Sequence, residues 1–168
     1  GLVGTTEAFS LSNFYSFILN LFLLQNWVLQ DLTFNPPSWS ISAEFYTYAI
    51  FGFIVLAFKN SASKIVLSSI ILVFFTGFVL SEVGMGTGNI AGPARCIFSF
   101  FIGVISYNLY KRFNLQESIS SSFLSSLMLG ICILLVIFLG KEKNGIVVLM
   151  PVIFAIALLA TVSTKHST

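Results

Sequence analysis

Glu44 and Arg95 stand at the starts of long apolar runs, where an ionised side chain calls for a reason. A lone charge at the centre of a lipid-embedded helix costs about 2.5–3.5 kcal/mol, less near an end, and such residues are candidate substrate or ion sites. A carboxylate can orient a base or hold hydroxyl groups, and a guanidinium can steady developing negative charge. Glu44 closes the stretch Asn35-Pro36-Pro37-Ser38-Trp39-Ser40-Ile41-Ser42-Ala43-Glu44. A capping box places its Glu three residues after a Ser or Thr. Glu44 lies four after Ser40 and six after Ser38, so capping accounts for it poorly. On a helix, Ser40, Glu44, Thr47 and Tyr48 share one face, because residues three and four apart are neighbours. Trp39 suits an interfacial anchor or a stacking surface for a ligand.

Other chemistry-bearing residues are few. His166 is the single histidine and follows the last apolar run, so neither a nucleophile–histidine pair nor a histidine metal site can be assembled within the chain. Cys96 and Cys132 fall inside apolar runs, where a thiol packs as a small hydrophobe. Gly84-Met85-Gly86-Thr87-Gly88 copies part of a dinucleotide fingerprint without its strand–turn–helix context, and reads as a flexible loop. Asn13, Ser16 and Asn20 form a stripe suited to interhelical hydrogen bonds. The net charge of +2, with no basic cluster, argues against nucleic acid.

These residues need a scaffold, and composition names it. The 168 residues are 57% hydrophobic and 8% charged, whereas soluble domains carry roughly 25% charged residues. A bilayer core takes about 20 helical residues to cross. Six runs meet that need, near 13–29, 40–58, 64–80, 94–110, 122–140 and 146–163. None alternates as a barrel strand does. The expected fold is all-α, a polytopic transmembrane helix bundle forming one integral-membrane domain over residues 1–168, with Pro151 kinking the last span. Lys59, Lys64, Lys111, Arg112 and Lys165 fall on one side, and Lys141 and Lys143 on the other. Basic loops face the cytoplasm. The second and fourth spans then run in the same direction, so Glu44 and Arg95 enter from one face, each about one turn deep, and line one polar cavity. Trp27 and Trp39 belong to the belt on that side.

Over Pro37-Ser38-Trp39-Ser40-Ile41-Ser42-Ala43-Glu44-Phe45-Tyr46-Thr47-Tyr48 the chain resembles the membrane acyltransferase 3 family, which includes bacterial O-antigen and exopolysaccharide O-acetylases. Asn20 to Trp27 is similar to that family's leucine-rich lead-in, and Arg95 with Phe98, Phe101, Gly103 and Tyr110 resembles a further family helix. The likeness is sharp over 35–48 and loose elsewhere. It implies acyl transfer, usually of acetyl from cytoplasmic acyl-CoA, to a carbohydrate hydroxyl of an envelope glycan or its lipid-linked precursor, in the bacterial inner membrane and with no metal. Glu44 and Arg95 would then be catalytic, with Trp39, Ser40 and Tyr48 binding substrate. The family has about ten helices and an essential histidine near the first. This chain has six candidate spans and no histidine before His166, and reads as a fragment that is inactive without its missing helices. The rival reading is a transporter or flippase subunit in which Glu44 and Arg95 line the pathway, although no inverted repeat relates the first three spans to the last three.

Overall fold

A backbone that meets lipid must satisfy its polar groups within its own segment, and every element of the computed structural model is helical among the residues it describes, 14–28, 38–59, 61–83, 90–113, 122–139 and 149–162. In chain order these are α1 Phe14–Leu21, α2 Gln25–Val28, α3 Ser38–Ala57, α4 Ala62–Val83, α5 Ala91–Arg112, α6 Ser122–Leu139 and α7 Met150–Val162. In α3 and α4, Trp39–Ala57 and Ala62–Val83 are long and apolar enough to cross a membrane. A soluble core helix would pass the same length test while mostly covered, but only 17% of either apolar window is buried. Phe53, Leu56, Phe74 and Phe75 point outward from these helices.

Of the six expected spans, those at 40–58 and 64–80 are the two that meet this test among the described residues, and the first expected span takes another form. The run at 13–29 is not one helix, because it breaks between α1 and α2, where Leu23 adopts a left-handed backbone with φ 57°. The lost helical bonds are replaced from outside: the Ser42 hydroxyl donates to the Leu23 carbonyl, and the Tyr46 hydroxyl donates to the Phe22 carbonyl at 2.8 Å. Trp27 meets Tyr46 edge-on at 5.7 Å, which closes this clamp. Of the last expected span, 146–163, the described helix is α7, and Pro151 does not stand in its middle. Pro151 is the second residue of α7, where a missing N–H costs no helical bond.

Helix α5 is the hub. It packs on α3, α4 and α7, while α6 packs on α7. Its first turn carries Gly92 and Pro93, and the first N–H that bonds back along the helix is that of Ala94, to the Ile90 carbonyl at 3.1 Å. Against α3 the contacts advance together, Trp39 with Arg95, Tyr48 with Phe100 and Phe51 with Phe101, so α3 and α5 are parallel. Against α4 they run in opposition. Leu80 clusters with Ala94 and Phe98, whereas Ala62 meets Asn108 at the far end. Phe101 is fully buried and sits with Ile54 and Ile97 between α3 and α5. Gly77 lets α4 approach closely, since a Cβ there would lie 3.1 Å from Phe98 Cε2. The buried hydroxyls of Ser69, Thr76 and Ser106 donate to carbonyls one turn back, which satisfies them without water.

Candidate functional site

Because α3 and α5 are parallel, their first turns meet at one end of the bundle. The small residues Ala43 and Gly92 keep the two backbones from filling the space between them. A cavity of ≈ 330 Å³ opens there, lined by Trp39, Ser40, Ala43 and Glu44 from α3 and by Gly92, Arg95, Cys96 and Ser99 from α5. Each helix contributes one stripe at helical spacing.

The sequence expectation that Glu44 and Arg95 share a cavity matches this arrangement. Glu44 is the seventh residue of α3 and Arg95 the fifth of α5, because both helices begin before the expected positions 40 and 94. The Arg95 guanidinium carbon lies 5.8 Å from the centre of the Trp39 ring, over its face. That ring attracts a cation with about 0.5–1 kcal/mol where exposed and more where water is excluded. Arg95 is half-buried and Glu44 is exposed at the cavity mouth. Ser40, also half-buried, adds a hydroxyl to the wall.

Two members of the expected polar face belong elsewhere. Thr47 is fully buried, its hydroxyl donating to the Ala43 carbonyl at 2.8 Å. Tyr48 lies deeper along α3 and packs edge-on against Phe100 at 5.4 Å, away from the cavity lining. The partner is α5 throughout, but at different depths: Ser40 and Glu44 stand at its first turns, and Tyr48 meets Phe100 further along. Cys96 and Ser99 are the site residues that sequence reasoning passed over. The spacing Gly92, Arg95, Cys96, Ser99 was the available signal, being i, i+3, i+4 and i+7 around the charge already singled out. Cys96 and Cys132 are both free thiols. Cys132, in α6, faces the Ile153 carbonyl at 3.7 Å and ties α6 to α7. Pro36, Pro37, Asn13, the glycine loop 84–88, Lys141, Lys143, Lys165 and His166 lie outside the described residues.

Chemically, the cavity offers an anion-holding guanidinium, a carboxylate that accepts hydrogen bonds, two serine hydroxyls, a thiol and an aromatic face. Both helix N-termini also point their positive ends toward it. Such a set suits a polyhydroxylated substrate or one on which negative charge develops. No family model, curated protein or solved structure matches this chain.

Proposed function

We propose that this chain is part of an integral membrane O-acyltransferase, which moves an acyl group, acetyl in the simplest case, from acyl-CoA to a carbohydrate hydroxyl of an envelope glycan or lipid-linked sugar in a bacterial inner membrane. One observation carries the reading: Trp39 and Glu44 line a single cavity with Arg95, far from them in sequence, at the matched ends of two parallel helices. In this reading the bundle is polytopic, and further helices of a longer parent supply the histidine base that residues 1–168 lack outside the tail. Glu44 orients that base or holds sugar hydroxyls, Arg95 steadies the tetrahedral oxyanion, and Trp39 and Ser40 seat the acceptor. Tyr48, one of the residues proposed to bind substrate, lies further along α3 and packs on Phe100.

The test uses membranes from cells expressing the whole parent gene, given radiolabelled acetyl-CoA. Glu44→Gln lowers acetyl incorporation into glycan by about a hundredfold, the size of a lost orienting contact, while the amount of protein in the membrane is unchanged. Full incorporation by the variant removes Glu44 from the site.

A second reading, a transport pathway past Glu44 and Arg95, draws on the break between α1 and α2, since discontinuous helices mark substrate sites in transporters. In that case the variant alters solute flux into proteoliposomes and no acetyl group is transferred.

A further inference from the structure

A second cavity lies at the opposite end of α5. It has a volume of ≈ 480 Å³ and is formed where the start of α4 meets the end of α5. One wall is apolar, with Val66, Leu67 and Ile70 facing Ile105 and Leu109. The rim is cationic and polar, with Lys111 and Arg112 beside Ser63 and Asn108. The antiparallel packing also directs the N-terminal N–H groups of α4, a 22-residue helix, to this rim. Ala62 and Ser63 belong to that first turn, and the first backward bond of α4 is made only at Ile65, to the Ser61 carbonyl at 3.0 Å. Among the described residues, no acidic side chain lines the groove. Lys59 and Lys64 lie at the same end, Lys64 over the Phe58 ring at 5.9 Å.

Two separate needs are met in one groove, and they are those of one molecule. A phosphate diester is held by paired cations and helix N-terminal N–H groups. A hydrocarbon chain lies along an apolar wall that a soluble ligand would leave wet. Basic pockets between membrane helices on the cytoplasmic side take anionic headgroups, and the basic end of a membrane protein faces the cytoplasm. We infer that the α4–α5 groove binds an anionic phospholipid, with its phosphate at Lys111, Arg112 and the start of α4 and one acyl chain along Val66, Leu67 and Ile70. The site is independent of the Glu44–Arg95 cavity and stands whether or not acyl transfer does.

The full chain, purified in a neutral detergent, is titrated with phosphatidylglycerol or phosphatidylcholine and the bound lipid counted by native mass spectrometry. Phosphatidylglycerol binds more tightly than phosphatidylcholine. The double variant Lys111→Gln/Arg112→Gln weakens phosphatidylglycerol about thirtyfold, at about a fivefold loss for each basic residue, and leaves phosphatidylcholine unchanged. Leu67→Trp, which fills the groove without touching charge, lowers retention of the lipid while a chain-free probe, glycerol phosphate, binds as before. Equal binding of the two lipids by the unaltered protein overturns the assignment. So does glycerol phosphate displacing phosphatidylglycerol at equal concentration, which would make the groove a site for soluble phosphate compounds.

Discussion

Helix α5 is charged at both ends, and the two ends are built differently. At its start, Arg95 is held inside the bundle, over Trp39 and in a cavity shared with Glu44. At its finish, Lys111 and Arg112 are exposed, share their groove with no acid among the described residues and sit where a helix dipole favours cations. The neighbour's direction makes the difference. The parallel neighbour α3 brings its own first turn and a carboxylate to Arg95. The antiparallel neighbour α4 brings bare N–H groups to Lys111 and Arg112. A mixed-charge cavity can position a neutral polar substrate and answer charge that develops during reaction, whereas an all-positive rim over an apolar wall can only hold an anion with a greasy tail.

This contrast can be broken first where α4 packs on α5. Gly77→Val puts a branched side chain against Phe98 where a Cβ already approaches to 3.1 Å, so the Phe98 ring must shift and loosen the α4–α5 seam. A loss of about 1–3 kcal/mol is expected for overpacking of this kind, read by denaturant titration in mixed micelles. Phosphatidylglycerol binding should weaken with it, because α4 and α5 both line the lipid groove, whereas the α3–α5 cavity borrows nothing from α4. Equal damage to both ends would mean that they are not separate sites.

A double-mutant cycle on Trp39→Leu and Arg95→Met sharpens the contrast further. Its coupling should be about 1 kcal/mol, larger than that of Lys64 with Phe58 at the exposed end, since cation–π attraction strengthens as water is excluded. Matching values would show Arg95 to be as solvated as Lys64. The smallest expected effect is that of Ser42→Ala, about 0.6 kcal/mol, typical of a hydrogen bond between membrane helices. It frees the Leu23 carbonyl and should raise hydrogen exchange across 22–28 while leaving α4 and α5 unchanged. Exchange that does not change there would mean that the clamp on the broken helix is redundant.

Much of this was legible in the chain itself. Runs rich in Phe, Ile, Leu and Val without alternation admit only helices, and α3, α4 and α6 begin and end within three residues of the expected 40–58, 64–80 and 122–140. Glu44 and Arg95 were legible because charge in an apolar run is costly, and basic residues counted by loop imply that their helices are parallel. Three features were not. The break at Leu23 depends on hydroxyls of Ser42 and Tyr46, about twenty residues away, accepting the role of lost helical partners. Pro151 carries the same chemistry at a helix start as in its middle, and only the true boundary decides whether it bends anything. Helical periodicity puts Tyr48 on the face of Glu44, but it does not fix how far along α5 each residue meets its partner.

The division follows from range. Composition and spacing act along one segment, so the sequence alone determined helices, an apolar exterior and two anomalous charges. Which residues meet depends on how helices pair, and pairing is decided by close approach at Gly77 and by the burial of Phe101 between α3 and α5. The tertiary structure therefore decided that Cys96 and Ser99 join the first cavity, that Tyr48 lies outside its lining, and that Lys111 and Arg112, at the other end of α5, frame a second groove.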